Sequence, residues 1–263
     1  MNLKGKRVLL TGATGGLGIE LATQLAEKGA VLTLVGRDEH KLNQLKNALE
    51  KDYSKPYCIT ADLNEQQASL SIVEEARNKM GEIDILINNA GVLDFIRFEA
   101  QTDERIAQMI HTNVTAPIQL TRAVLGHFQA KNKGHIVFVG SIFGSLGFPY
   151  FSTYCASKFA VHGFSQSLRR ELLGTNIGIT YIAPRGIKTS MNDARTVAMW
   201  EKDGTQMDDT NTVARIVINA LIKDKEEVFI GFPQSFFAWL NGVFPKLVSM
   251  GIKKTTLIAR QYL

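Results

Sequence analysis

The 263-residue chain is 45% hydrophobic and 21% charged, carries a formal charge of +5, and contains no low-complexity tract or internal repeat. This composition excludes a mainly disordered or fibrous chain, and the length suits one α/β domain of roughly 200 to 250 residues with a short extension. The excess charge is local, because Lys246, Lys253, Lys254 and Arg260 follow Gln234 with no acidic residue among them. A nucleic-acid surface would instead spread Lys and Arg along a face of the body with interleaved aromatics, and no such pattern is present.

Cys58 and Cys155 are too few for a disulfide framework, and neither has a Cys or His neighbour at metal-ligand spacing. The apolar stretch in the opening MNLKGKRVLL is shorter than the ~7 to 15 residues of a signal-peptide core. No apolar run approaches the ~18 to 20 residues of a membrane span. A cytoplasmic protein is expected.

In chain order, short apolar runs alternate with longer helical patterns. Residues Arg7–Leu10, Val31–Val35, Tyr57–Thr60, Ile83–Ile87, His135–Val139, Ile177–Ile182 and Val228–Ile230 read as seven strands. Their nearly continuous apolar character predicts a doubly wound, mostly parallel α/β sheet covered on both faces, a Rossmann-like single domain. Helical spacing runs over Gly18–Lys28, Lys41–Lys51 with Asp38 as N-cap, Asp103–Ala130 and Tyr154–Leu173. From Pro184 to Thr212 the pattern turns polar and irregular, which predicts a mobile segment covering a substrate. The expected organisation is a catalytic domain over residues 1–234 and an amphipathic extension over 235–263.

Glycines at 12, 15, 16 and 18 follow the first strand and open a helix, so backbone N–H groups and the positive helix end can approach a pyrophosphate. Farther on, Tyr154 and Lys158 stand four residues apart on one predicted helix face, thirteen residues after Ser141. An ammonium so placed can lower a phenol's pKa and make it a usable acid/base, while the serine holds a substrate oxygen.

Taken in order, Thr11–Gly18 (TGATGGLG), Asn88–Gly91 (NNAG), Asn113, Ser141 and Tyr154 with Lys158 resemble the motif series of the short-chain dehydrogenase/reductase family, over about residues 5 to 190. Gly12, Gly16 and Gly18 fit its oxidoreductase pattern, whereas Gly12, Gly15 and Gly18 fit the extended, epimerase-like pattern. NNAG, the short Ser141–Tyr154 gap and the chain length favour the former. The resemblance implies hydride transfer between a nicotinamide and a carbonyl or alcohol, with Tyr154 as acid/base, Ser141 on the substrate oxygen, Lys158 on the nicotinamide ribose and Asn113 in a water-borne proton relay. It also implies cofactor contacts from Gly12, Ala13, Thr14, Gly15, Gly16, Leu17, Gly18, Asp62, Leu63, Asn89, Ala90, Gly91, Ile187 and Thr189. A small-molecule substrate and a homodimer or homotetramer follow from the same resemblance.

NAD-using relatives carry a carboxylate at the end of the second strand, where this chain has Gly36 followed by Arg37, whose planar donors suit a 2′-phosphate. NADP(H) is therefore the expected cofactor. Arg185 replaces a glycine in the family's usual P-G-x-I-x-T and is expected to face solvent or the covering segment. Leu93, Phe95, Ile142, Phe143, Phe148, Phe151, Met191, Met199 and Trp200 lie near the motif loops and suggest an apolar substrate pocket. Phe236, Phe237, Trp239, Leu240, Val243, Phe244, Leu247 and Val248 join the basic residues of the tail, where Pro245 should break a helix. Two readings fit that tail: packing on the body or a second subunit, and peripheral contact with an anionic membrane. Two functional classes also stand: an NADP(H)-dependent oxidoreductase, and a non-catalytic nucleotide-binding regulatory or membrane-associated protein of the same fold.

Overall fold

The seven strands are β1 (Arg7–Thr11), β2 (Val31–Gly36), β3 (Tyr57–Thr60), β4 (Ile85–Asn88), β5 (Gly134–Val139), β6 (Ile177–Ala183) and β7 (Glu227–Phe229). In the computed structural model, which describes residues 1–263, they form one sheet in the order β3-β2-β1-β4-β5-β6-β7 with every neighbouring pair parallel. Parallel pairing needs crossover connections, and the helices that supply them cover both faces. Successive residues of one strand serve opposite layers. Leu9 packs with residues of α3 (Ala68–Met80), α5 (Ala116–Lys131) and α6 (Ser152–Glu171). Val8 and Leu10 pack with α1 (Gly16–Glu27), α2 (Glu39–Glu50) and α8 (Thr210–Ile222).

The connection reverses direction between β1 and β4, which leaves a crevice at the carboxyl ends of the strands. Along that edge the loops after β3, β2, β1, β4, β5 and β6 follow in spatial order. Residues 61–63, 36–37, 12–18, 89–93, 140–148 and 184–192 are thereby brought side by side, although they are scattered in the chain.

Three departures from the expected elements have physical causes. The span 103–130 is α4 (Asp103–Ile110) and α5, joined by a π-helical turn over His111–Thr115; its wider hydrogen-bond ring leaves the apolar spacing almost unchanged. Helix α3 was not expected, since its N-cap residue Gln67 has left-handed φ 63° and makes no side-chain cap. The span 184–212 is partly ordered, because Asp193 accepts from Thr196 N at 2.8 Å and opens α7 (Ala194–Asp203). Beyond residue 233, α9 (Gln234–Val243) ends at Phe244, and Pro245 starts α10 (Pro245–Gly251), followed by α11 (Lys253–Ala259).

Asp38 caps α2 as expected, its carboxylate accepting from Lys41 N at 3.0 Å. Asp38→Ala should cost about 1 kcal/mol of stability. Chemical denaturation is expected to show a lower midpoint with an unchanged slope.

Candidate active site

A cleft of about 520 Å³ runs along the carboxyl edge of the sheet, within the roughly 300 to 1,000 Å³ usual for ligand sites. Gly36, Arg37, Asp62 and Leu63 line one end, Gly12, Thr14–Gly18 and Asn89–Gly91 the middle, and Ser141, Tyr154 and Lys158 the other end, with Ile187 and Thr189 above. All but two of the expected site residues therefore share one cavity wall.

The two exceptions are Ala13 and Asn113. Ala13 is fully buried and its N–H donates to Val35 O at 3.0 Å, so its side chain serves the layer beneath the turn. Asn113 is buried in the π-helical turn, where its Oδ1 accepts from Val92 N at 2.8 Å and its Nδ2 donates to Val92 O at 2.8 Å and Ser157 Oγ at 3.0 Å. Both amide hydrogens are thus committed to fastening the loop after β4. A relay role cannot use them without breaking those bonds.

The glycine turn is dictated by crowding. Gly12 has φ +63°, and a Cβ there would lie 2.8 Å from Ala90 Cα. A Cβ on Gly16 would stand 2.9 Å from the Thr189 methyl, whereas one on Gly15 would meet only Gly12 O, at 3.4 Å. The tight positions favour the 12, 16, 18 pattern over 12, 15, 18. Asn89 Nδ2 locks the same turn by donating to Thr11 O at 3.0 Å and Gly12 O at 3.1 Å. The result is a surface of backbone with little side chain over it, suited to a pyrophosphate beside the N-terminus of α1.

At the second-strand end, Asp38 is occupied as a helix cap and is absent from the cavity wall. Arg37 lines the wall and makes no ion pair. Burial raises the Asp62 carboxyl, but hydrogen bonds from Asn64 outweigh it, with Arg37 assisting, and hold the group below the usual carboxylate range.

At the other end, Ser141 heads a 3₁₀ turn and its Oγ accepts from Phe143 N at 3.1 Å. That bond uses a lone pair, so the hydroxyl hydrogen stays available to an oxygen in the cavity. Lys158 Nζ donates to Val139 O at 3.0 Å and lies 5.6 Å from the centre of the Tyr154 ring. Burial pushes the Lys158 ammonium down to about 8 and the Tyr154 phenol up to about 12, the latter partly opposed by Ser141. The expected lowering of the phenol by the ammonium does not prevail; desolvation dominates, with Lys158 buried and Tyr154 half-buried beside an apolar wall.

That wall is aromatic. Phe143 and Phe148 stack at 4.9 Å, Phe151 and Trp200 at 6.0 Å, and Phe148 lies 5.1 Å from Trp200. Leu93, Ile142 and Met191 also face the cavity, while Phe95 and Met199 do not. Both are nearly inaccessible in the core; Phe95 stacks behind Phe151 at 5.2 Å.

Sequence reasoning missed the support beneath Ser141. Tyr181 OH donates to Ser141 O at 3.2 Å and accepts from Ser141 N at 3.4 Å, filling space that side chains at Gly140 and Gly144 would occupy. His162 stacks on Tyr181 at 4.3 Å, and its Nδ1 lies 3.1 Å from Ser145 Oγ. Tyr181 sits in a buried strand, where an aromatic reads as core. Arg185, expected toward solvent or the covering segment, pairs with Asp208 of that segment at 2.6 Å and also donates to Phe232 O and Gln234 Oε1.

The profile of the short chain dehydrogenase family matches residues 6–200. The chain belongs to that family. Its likeness extends to the uncharacterized oxidoreductase YxnA of Bacillus subtilis, 30% identical over 96% of this chain and 72% of that protein. The ketoacyl reductase HetN of Nostoc is 32% identical over 87% of this chain and 79% of its own length. A crystal structure of a short chain dehydrogenase/reductase from Burkholderia phymatum in complex with NAD superposes with TM-score 0.86, covering 94% of this chain and 96% of that one at 21% identity. The protein is thus an oxidoreductase of a nicotinamide-dinucleotide family.

Holding Lys158 charged in the folded protein, with its pKa moved from 10.5 to about 8, costs about 3 kcal/mol at neutral pH. The folded state binds this proton less tightly than the unfolded state, so the cost is full below about pH 8 and fades as pH rises toward the unfolded value. Lys158→Met should therefore stabilise the ligand-free protein at pH 7 by a net of about 2 kcal/mol once Val139 O loses its donor, and raise its thermal midpoint accordingly. The gain should shrink between about pH 8 and pH 10, as differential scanning calorimetry across that range would show.

Proposed function

We propose that the protein is an NADP(H)-dependent reductase of a hydrophobic ketone or aldehyde, with the corresponding alcohol as product. The observation that carries this reading is the convergence of Ser141, Tyr154 and Lys158 beside an aromatic wall, in a cleft whose far end presents unpaired Arg37 and no carboxylate from Asp38. Arg37 would hold the 2′-phosphate with its forked donors, while Thr14–Gly18 cradle the pyrophosphate and Asp62, Leu63, Asn89 and Ala90 border the adenosine half. Ile187 and Thr189 would border the nicotinamide half, and residues 184–212 would cover the substrate.

The bound dinucleotide supplies or accepts the hydride. The remaining work falls to the chain. Tyr154, protonated at neutral pH with its pKa near 12, donates its proton to the carbonyl oxygen as negative charge grows there. Ser141 donates a hydrogen bond to the same oxygen. Lys158 offsets the tyrosinate that forms and binds the nicotinamide ribose hydroxyls. Phe143, Phe148, Phe151 and Trp200 exclude water and favour an apolar chain, a preference in keeping with the ketoacyl reductase among the relatives.

Oxidation of NADPH on a panel of aliphatic ketones is expected to show turnover, and Tyr154→Phe should lower it by about 10² to 10⁴-fold while leaving cofactor binding intact. Activity unaffected by that change would refute the catalytic assignment. Binding of NADPH without turnover on any carbonyl would favour the non-catalytic alternative. For the cofactor, Arg37→Ala should raise the KM for NADPH by about tenfold or more with little effect on NADH. Equal efficiency of the unaltered protein with both cofactors would overturn the preference.

A further inference from the structure

Helices α9 to α11 pack on the body through Ala238, Val248, Ile258 and Ala259, while most of their large apolar side chains face outward. Trp239 is 61% exposed, Leu247 56% and Met250 71%, and Phe232 just before α9 is 77% exposed. Phe236, Phe237, Val243, Phe244 and Leu257 are exposed as well. Phe236 and Trp239 sit 5.8 Å apart, so the outward aromatics form a cluster. A helix in water shows the opposite pattern, with apolar residues inward and polar residues outward. A contiguous patch of this kind marks an interaction surface.

The charges choose the occupant. Lys246, Lys253 and Lys254 are exposed, make no ion pair, and have no acidic residue anywhere beyond Gln234. Two copies joined patch to patch would bring six lysines together, with Asp203, which accepts from Thr255 Oγ1 at 2.8 Å, as the one carboxylate bonded to each tail. An anionic lipid surface supplies the opposite charge for the lysines and an apolar layer for Trp239, Phe236 and Leu247. No helix is long and apolar enough to cross a membrane, so the contact is with one leaflet.

We infer that the outward face of residues 232–257 docks on an anionic bilayer surface and holds the rim of the cleft against it. The connection to the cleft is direct. Arg185 and Gln234 line the cavity, and Arg185 Nη1 donates to Phe232 O at 3.2 Å and to Gln234 Oε1 at 3.2 Å. Asn241 Nδ2 donates to Ser145 O at 3.0 Å, tying α9 to the turn after Ser141. Entry of a lipid-borne carbonyl from the bilayer is a consequence that rests on the reductase reading above; the docking itself does not.

The test uses the full chain and sedimentation with phosphatidylglycerol/phosphatidylcholine vesicles or phosphatidylcholine vesicles alone. The protein should partition onto the anionic vesicles, release at high salt, and show a blue shift of Trp239 emission that Trp239→Phe removes. Lys246→Glu/Lys253→Glu/Lys254→Glu should weaken partition about 100-fold, roughly fivefold for each cation. Phe236→Ser/Trp239→Ser/Leu247→Ser should weaken it at least about tenfold, with circular dichroism and thermal midpoint unchanged as the control for folding. Absence of partition, or partition indifferent to both sets of changes, would overturn the proposal. It would equally fail if the serine variant converted an oligomer to a monomer while vesicle binding stayed at background, which would make the patch a subunit interface. None of these readouts depends on turnover, so a failed ketone assay leaves the result intact.

Discussion

The close approach of the Thr11–Gly18 turn to the loop after β4 sets the position of almost everything in the cleft. Gly12 lies so near Ala90 that no Cβ fits between them, and Asn89 spans the same gap to Thr11 and Gly12. Because β1 and β4 are the strands between which the connection reverses, this contact closes the floor of the crevice at its centre. From there the register of the parallel sheet carries the geometry outward in both directions. Gly36 and Thr60 are paired across β2 and β3 on one side, and Asn88 and Phe138 across β4 and β5 on the other. The two ends of the cleft are therefore spaced by strand pairing rather than by flexible loops, which is how groups far apart in sequence keep a fixed separation.

Within that frame, the cleft holds groups that folding alone would not choose. Lys158 is buried with Val139 O as its hydrogen-bond acceptor and no carboxylate partner, and Tyr154 lies against Phe143 at 6.3 Å. Both side chains have their charged forms disfavoured by desolvation. Burial is the cause, and the rings of the wall contribute to it by excluding water from the pair. Electrostatic interactions with charge developing on a bound oxygen are correspondingly stronger there. Stability lost at Lys158 and sensitivity gained at the site are two consequences of one burial.

Much of this was legible in the chain because the strands are buried on both faces and read as unbroken apolar runs, with bounds within about two residues. The β7 run shifted by a single residue, and β4 began at Ile85, two residues after the expected start. What failed to register was structure held by hydrogen bonds that leave no compositional trace. The π-helical turn around Asn113 uses ordinary helix-compatible residues, and α3 starts without a side-chain cap. At the site, the order of motifs disclosed which residues meet, but not which way each one faces. Ala13 lies among residues that do line the cleft, yet the hydrogen bond from its N–H to Val35 fixes the backbone so that the side chain turns into the core. Phe95 and Met199 are likewise near the pocket in sequence and one layer behind it in space.

The spacing that places Tyr154 and Lys158 on one face of α6 continues down the helix through His162 and Gln166. The first pair reaches the cleft; the second braces it. His162 stacks on Tyr181 and meets Ser145 and Gly144 O, while Gln166 donates to Glu227 at 3.0 Å, a carboxylate that Arg169 also engages. Tyr181 in turn holds both backbone groups of Ser141. One helix thus carries two of the three proposed catalytic groups and, through His162, packs on the Tyr181 ring that holds the third. Tyr154 and Lys158 share α6, while Ser141 is held from β6 by Tyr181, on which His162 of α6 stacks, so packing links all three. The same turn carries Ser145, whose carbonyl accepts from Asn241 on α9. The turn that begins at Ser141 is therefore also the one to which the aromatic tail is fastened, through Asn241 and the Ser145 carbonyl.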